Sequence, residues 1–225
     1  SLRDEAIAKM PKGRDFTSLV TQAPGVNAEN AKLGGISIDG ASAGENRYII
    51  DGAETTNLQS GLSGKTLITD FVDEVQVKSS GYTAEFGGAT GGVISAVTRS
   101  GTNAFRGDLF TYYSGSSLNS DPRPSLRLVP SNSNAMEYVT YAKDEEHTLE
   151  PGLTLGGPIK KDKAWFFIGY NPSFRPLDRT VTSRADGIAR TKTQKFTRQN
   201  LTANITSQLS DKTRARLAFT SSGSK

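Results

Sequence analysis

The second half of the chain consists of segments in which apolar and polar residues alternate. The clearest covers residues 201–209, where Leu201, Ala203, Ile205 and Leu209 interleave with polar residues. Side chains two positions apart share one face of a strand, so this period predicts a strand with one apolar and one polar face. The same period recurs in four further segments, at 109–113, 149–155, 164–170 and 215–219. We therefore predict five antiparallel strands after Phe105.

The connections between these strands alternate in length. Tight turns are predicted at 158–163 and 210–212, whereas the stretches near 114–146 and 172–193 are long and polar. Transmembrane barrels have short turns on the periplasmic side and long loops on the outer side. The pattern favours a membrane barrel, although a soluble antiparallel sandwich shows the same alternation.

The first half of the chain predicts a compact mixed unit. Asp15 is placed to cap a short helix that ends before Pro24. Short runs rich in β-branched residues, each closed by a turn signal, follow at 36–38, 48–50, 72–77 and 93–98. They predict about four short strands, which with one or two helices form a small α/β sheet.

Composition narrows the classes of protein. Hydrophobic residues make up 35% of the 225 and the mean hydropathy is −0.45, below the ~45–50% apolar content of globular domains. No segment approaches the ~18 apolar residues of a membrane-spanning helix. A membrane-spanning strand needs apolar residues only on the face that contacts lipid, so the mean hydropathy of such a protein is low and a β-barrel stays compatible with this composition. The 27 basic and 23 acidic residues are scattered without a basic stripe, so nucleic acid is not an expected partner. The absence of cysteine excludes disulfides and thiolate sites.

Signals for catalysis are weak. His147, the one histidine, lies in an acidic stretch typical of a solvated loop, and no carboxylate pair has the spacing of a general acid and base. The glycine-rich segment 87–92 lacks the Lys-Ser/Thr of a phosphate loop and precedes a predicted strand. We expect no enzyme activity, no cofactor and no metal site.

Several ordered motifs carry a family resemblance. Residues 71–103 are similar to the end of the plug domain of TonB-dependent outer-membrane transporters. The preceding motifs at 13–19, 23–26 and 46–57 look like the Oar-like branch of that family, and 105–110 falls where the first barrel strand belongs. The plug signature that these motifs contain is a structural one, made of Asp51, Gly52, Gly81, Glu85, Gly87, Gly91 and Gly92.

The resemblance implies a small α/β plug domain followed by antiparallel β-strands of an incomplete transmembrane β-barrel. The plug would cover residues 1–103, and residues 104–225 would supply about five barrel strands with long outer loops near 114–146 and 172–193. The signature glycines, together with Gly88, permit positive φ and close backbone approach. The Asp51–Gly52 pair is suited to a tight turn after a buried strand.

The function implied by the resemblance is energised transport in the cell outer membrane. The expected partners are outer-membrane lipid, a TonB-type energy-coupling protein and an unknown solute or exported protein. Because the plug would contact a polar barrel interior, we expect it to be less apolar than an independent domain.

The strand count leaves the barrel open. Plugged transporters have about 22 strands and five strands cannot close, so we expect the remaining barrel strands on further sequence or on another chain. The energy-coupling motif and any N-terminal regulatory-like domain would precede Ser1. Two alternatives to transport stay open at this point: a non-transporting outer-membrane scaffold or surface-assembly subunit, and a soluble secreted β-sandwich adhesin.

Overall fold

A computed structural model describes residues 1–7, 9–29, 35–129, 132–140, 143, 145–182 and 189–224. Two short helices are described, α1 (Asp4–Ile7) and α2 (Thr17–Val20). The described strands, in chain order, are β1 (Leu2–Arg3), β2 (Val26–Ala28), β3 (Ile36–Ile38), β4 (Arg47–Ile50), β5 (Ala53–Glu54), β6 (Val72–Lys78), β7 (Val93–Thr98), β8 (Arg106–Gly115), β9 (Ser125–Val129), β10 (Asn132–Val139), β11 (Glu145–Lys160), β12 (Ala164–Thr182), β13 (Ala189–Ser210) and β14 (Thr213–Ser224).

The chain packs as two compact units. One contains Ser1–Leu109, Gly152–Asn171 and Gln199–Gly223, and the other contains Phe110–Pro151, Pro172–Arg198 and Ser224–Lys225. The first unit therefore includes the N-terminal sheet together with parts of strands β8 and β11 to β14. Strands β9 and β10 form an antiparallel hairpin in the second unit.

The N-terminal sheet has the strand order β1-β6-β7-β4-β5. Strands β4 and β7 are parallel, with Tyr48 opposite Ile94, and the other neighbours are antiparallel. The four predicted strands are all present. The prediction of a single sheet is wrong for β3, because it pairs with the unpredicted strand β2 in a separate two-stranded ribbon.

Helix α2 is shorter and begins later than predicted. The N-cap position is Phe16 rather than Asp15. The Asp15 carboxylate nevertheless accepts hydrogen bonds from the backbone N–H and hydroxyl of Thr17, at 3.0 and 2.9 Å. It thus satisfies a donor at the helix start, which is what the capping pattern predicted.

The N-terminal sheet has its own apolar core. Its fully buried large side chains include Phe16, Leu19, Ile38, Tyr48, Leu67, Phe71, Val72, Val75 and Ile94. These residues come from α2, from strands β3, β4, β6 and β7 and from the segments between them. Burial of their apolar surface, worth roughly 25 cal/mol per Å², contributes to the stability of this core.

The second large sheet has the order β14-β13-β12-β11-β8, which confirms the five predicted strands. Tight turns at 161–163 and 211–212 connect β11 to β12 and β13 to β14. The sheet is open, with β8 and β14 at its edges.

The burial pattern of this sheet is inverted relative to that of a water-soluble protein. Leu217 and Phe219 are 73% and 58% exposed, whereas Thr202, Asn204 and Thr206 are buried. Apolar side chains on the outside and polar ones on the inside are what a strand in contact with lipid requires. The predicted apolar face is therefore an outer face. No helix in the described ranges is long and apolar enough to cross a membrane.

Two regions predicted as loops contain strand. Much of 172–193 belongs to β12 and β13, and 114–146 holds β9, β10 and the start of β11. Strands β12 and β13 have 19 and 22 residues, whereas a tilted strand crosses the bilayer in about 9–11. The apolar band is the part of the strands that contacts lipid. Outside it neither face of a strand needs apolar side chains, so the alternation of apolar and polar residues disappears while the strand continues.

Candidate plug and barrel contact site

Strands β4 and β5 are joined by a two-residue hairpin turn at Asp51 and Gly52. Ile50 pairs with Ala53, and both turn residues have positive φ, +50° for Asp51 and +83° for Gly52. Positive φ at both central residues is the mark of a type I′ turn, in which Asp-Gly is a preferred sequence. The turn projects the Asp51 carboxylate toward the end of β7.

The Asp51 carboxylate is held by two hydrogen bonds and an ion pair. Oδ1 accepts from the backbone N–H of Thr98 at 2.9 Å, and Oδ2 accepts from the Thr98 hydroxyl at 2.7 Å. Arg216, on β14 of the large sheet, forms an ion pair with Oδ1 at 2.9 Å. The Asp51 side chain is only 6% exposed, so the guanidinium compensates a carboxylate that would be costly to bury alone.

Thr98 connects this carboxylate to two strands of the large sheet. The guanidinium of Arg216 donates to the Thr98 carbonyl at 2.7 Å and to its hydroxyl oxygen at 2.6 Å. Asn204, on β13, donates to the same hydroxyl at 3.1 Å and to the Arg99 carbonyl at 2.6 Å. The hydroxyl thus donates once and accepts twice, which is its full capacity. We call Asp51, Thr98, Asn204 and Arg216 the Asp51 cluster.

One apolar contact lies between the N-terminal sheet and β12. Phe71 meets Phe167 edge to face, with ring centroids 6.5 Å apart. A Cβ on Gly169 would lie 2.6 Å from two atoms of the Phe71 ring. Gly169 therefore leaves the space in which the Phe71 ring packs.

A second polar contact lies nearby. Arg14 forms an ion pair with Asp70 at 2.5 Å and donates to Asn171 of β12 at 3.5 Å. The N-terminal part of the chain thus contacts β12 through a polar group, Arg14, and an apolar one, Phe71.

The segment that follows β7 is fixed to the turn between β11 and β12. The Asn103 side chain accepts from the Asp162 backbone N–H at 3.0 Å and from the Trp165 indole at 2.7 Å, and it donates to the Asp162 carboxylate at 2.6 Å. A Cβ on Gly101 would lie 2.2 Å from the Phe166 carbonyl oxygen. Glycine is therefore required where this segment passes the sheet backbone.

The predicted signature residues fall into separate groups. A Cβ on Gly91 or Gly92 would lie 2.6 Å from Asn46 Oδ1 or Ile38 Cδ1 respectively, so both permit close approach. Gly81 has a φ of +66°. Gly87 and Glu85 are exposed; the Gly87 carbonyl accepts from Arg47, and Glu85 accepts from Thr83 at 2.7 Å.

The structure brings Asp51, but none of the other signature side chains, into contact with the large sheet. Its partners Arg216, Asn204 and Thr98 were not predicted as site residues. Arg216 and Asn204 do belong to the polar positions of the two alternating segments. A polar position on the enclosed face of a strand was the signal that could have identified them.

The comparisons with known proteins agree with this arrangement. Residues 1–93 match the TonB-dependent Receptor Plug Domain family, and residues 97–220 match the Outer membrane beta barrel domain family. The TonB-dependent transporter Oar of Myxococcus xanthus is 39% identical over 172 residues, which are 76% of this chain and 15% of that protein.

Solved structures show the same fold. The outer membrane transporter YddB from Escherichia coli aligns with 99% of this chain at a TM-score of 0.75 and 23% identity. The ferric enterobactin receptor PfeA of Pseudomonas aeruginosa, crystallised as a mutant with enterobactin, aligns with 99% at a TM-score of 0.61 and 16% identity. The chain covers 32% of each.

The chain belongs to the TonB-dependent receptor family of the outer membrane, and it comprises a plug domain and part of a β-barrel. It spans about a third of the length of these solved relatives and less of Oar. The relatives named here are transporters and receptors rather than enzymes. Among the described residues, no group of three or more His, Cys, Asp or Glu side chains is arranged to hold a metal ion.

Proposed function

We propose that this chain forms the gate and the first wall strands of a transporter that moves a solute across the outer membrane. The plug, residues 1–103, closes the lumen of a barrel to which residues 104–225 contribute strands. A TonB-type protein of the inner membrane supplies the force that displaces the plug. The edge strands β8 and β14 pair with further strands that complete the barrel, because unpaired strand edges are not tolerated in hydrocarbon.

The observation that carries this proposal is the Asp51 cluster. A plug that opens and closes a barrel must stay folded while it moves relative to the barrel wall. The plug has an apolar core of its own, whereas Asp51, Thr98 and Arg14 bond to polar side chains of the wall. When the plug moves, bonds to water replace these hydrogen bonds, and each such hydrogen bond therefore contributes only about 0.5–1.5 kcal/mol to holding the plug in place. Breaking these polar contacts and the Phe71–Phe167 contact releases the plug while the rest of its apolar core stays buried.

The energy must come from outside the outer membrane. One elementary charge crossing a potential of 100 mV at the inner membrane releases about 2.3 kcal/mol. A few charges thus supply enough work to break a contact made of several polar bonds. A displaced plug whose apolar core stays folded returns to its position inside the barrel when the force ends.

Cysteine accessibility tests the proposal in the full-length protein. Thr206 is buried on the enclosed face of β13, and Leu58 is 99% exposed. Thr206→Cys is close to isosteric, and the sequence has no cysteine of its own. In cells with the energy-coupling protein, displacement of the folded plug uncovers the wall, so a thiol reagent admitted to the periplasm is expected to label Thr206→Cys, and deletion of the coupling protein should abolish that labelling. Leu58→Cys is the control and should be labelled in both strains.

Equal labelling of Thr206→Cys with and without the coupling protein would contradict the proposal. Absence of labelling in both strains would also contradict it. That second result would favour a fixed outer-membrane scaffold in which the plug is a permanent part of the wall.

A further inference from the structure

The hairpin of strands β9 and β10 has an apolar face that is open to solvent. Leu126 lies opposite Tyr138 and Leu128 lies opposite Met136, and cross-strand partners share one face of a sheet. These four side chains are between 52% and 75% exposed. Single exposed apolar residues are ordinary, whereas a contiguous patch of them marks an interaction surface. We call this patch the apolar hairpin face.

The opposite face of the hairpin carries charge. Arg127 lies opposite Glu137, and their side chains form an ion pair at 2.9 Å. Ser125 belongs to the same face and is exposed. The hairpin is therefore two-sided, with one face suited to water and the other suited to a protein surface.

The hairpin gains little stability through its own contacts. Among the described residues, β9 and β10 pair with each other and with no further strand. An isolated two-stranded hairpin is at best marginally stable in water, and a third strand or packing of its apolar face is needed to stabilise it. The apolar hairpin face thus indicates that another segment covers the hairpin.

The course of β8 shows where the hairpin lies in the barrel wall. β8 begins shortly after Asn103, which accepts a hydrogen bond from Asp162 in the tight turn between β11 and β12. β8 therefore runs away from the tight turns, which lie on the periplasmic side, and it ends on the outer side. The hairpin follows that outer end. β8 is also an edge of the large sheet.

The strand that closes the barrel against β8 has a fixed direction. Neighbouring barrel strands are antiparallel, so the closing strand runs from the outer side inward, and the segment directly before it is an outer loop. That loop lies beside the outer end of β8, where the hairpin begins. The chain covers 32% of each of the two solved relatives, and the closing strand belongs to the remaining part of the protein.

We infer that the apolar hairpin face docks against the outer loop that leads into the closing strand of the same chain. The inference rests on the complete barrel of the proposed function. Docking covers the four exposed side chains and supplies the packing that the hairpin lacks. It also joins the outer loops on the two sides of the seam at which the barrel closes.

Cysteine labelling of the full-length protein on intact cells tests which face is covered. Met136→Cys places a thiol on the apolar hairpin face, and Ser125→Cys is the matched control on the opposite face, both in a background free of other cysteines. The two positions are exposed in the structure, so a difference in rate reports cover by a segment beyond these 225 residues. With a membrane-impermeant thiol reagent, Met136→Cys should react about tenfold more slowly than Ser125→Cys, because a thiol under a docked segment reacts only during local opening. Equal rates would overturn the inference.

Photocross-linking identifies the segment that covers the face. Tyr138→p-benzoylphenylalanine keeps an aromatic ring on the apolar hairpin face and reacts with C–H bonds that lie against it. The expected product is a cross-link within one chain, to the peptide that precedes the last barrel strand, located by mass spectrometry after proteolysis. A cross-link to lipid, to a second copy or to another protein would assign a different occupant and overturn the inference.

Neither measurement needs an energised membrane, so the docking inference and the transport proposal can fail separately. Slow labelling of Met136→Cys without coupling-dependent labelling of Thr206→Cys would refute the transport proposal alone. The reverse pair of results would refute the docking inference alone.

Discussion

Asp51 and Arg216 form a partly buried ion pair, with 2.9 Å between the carboxylate and the guanidinium, that joins the hairpin turn of the plug to strand β14 of the barrel. Both groups also bond to Thr98. The pair thereby fixes the end of β7 at the point where the plug leads into the barrel.

Asp51→Asn is expected to loosen the plug without disturbing the turn. Asparagine accepts the left-handed conformation of Asp51, but it leaves the partly exposed guanidinium of Arg216 without a counter-charge, at a cost of about 1–3 kcal/mol. Hydrogen exchange of the β4–β5 hairpin in the full-length protein should accelerate by one to two orders of magnitude. Unchanged exchange would mean that the ion pair does not hold the plug. Lys65→Gln, which removes an exposed cation of the plug outside the hairpin, serves as the comparison.

Gly169→Ala is expected to push Phe71 out of its site. The new methyl group would lie 2.6 Å from the ring, and overpacking of this kind costs about 1–3 kcal/mol. The melting temperature of the full-length protein should fall. Gly223→Ala on β14 is the control, because nothing lies within 4 Å of its Cβ position. Equal melting temperatures for the two variants would show that Phe71 moves aside freely.

Asn103→Ala should change the environment of Trp165. The indole would lose its acceptor at 2.7 Å, and the Asp162 N–H and carboxylate would lose their bonds. Trp165 is the one tryptophan of the sequence, so its fluorescence reports on this contact, and we expect a red-shifted emission as water reaches the indole. Thr102→Ala should leave the spectrum unchanged, since the Thr102 hydroxyl bonds to Ala104. A shift of the same size in both variants would rule out a specific role for Asn103.

The Arg47–Glu54 contact predicts a dependence on acid pH. The hydrogen bond from Arg47 lowers the pKa of Glu54 below its ordinary value of 4.5. A carboxyl whose pKa is lowered in the folded state adds stability above the ordinary pKa, and it loses that contribution as the pH falls through the lowered pKa. Exchange protection of β5 should therefore decrease below about pH 4.5. Glu54→Gln should remove this acid-dependent part, and an unaltered pH profile in that variant would contradict the assignment.

Leu217→Arg should impair insertion into the outer membrane. Leu217 is 73% exposed on the apolar outer face, where a charge near the middle of the bilayer costs about 2–4 kcal/mol. The fraction of protein that resists extraction from the membrane should fall. Leu217→Ile keeps the apolar surface and should insert normally. Normal insertion of Leu217→Arg would place this face away from lipid.

The sequence was most informative where one physical requirement acts on neighbouring residues. A strand that has lipid on one side needs apolar side chains at every second position, so β13 and β14 were visible as alternation around Ile205 and Leu217. The Asp51–Gly52 turn was visible for a similar reason, since its two positive φ values restrict residue choice at adjacent positions.

Outside the apolar band that requirement ends. Residues 172–182 and 189–193 show no alternation and were predicted as loop, yet they continue β12 and β13. Strand β3 shows a related limit. Its two isoleucines predicted a strand correctly, but the choice of β2 as partner depends on how the chain folds back.

The sequence by itself determined the family, the number of wall strands and the outer position of their apolar face, because each depends on local patterns. Only the tertiary structure decided that Asp51 meets Arg216, that Phe71 packs over Gly169, and that Asn103 binds the indole of Trp165. Those contacts join residues far apart in sequence or depend on strand register, and no local pattern of side chains specifies which distant partner the folded chain will bring within bonding distance.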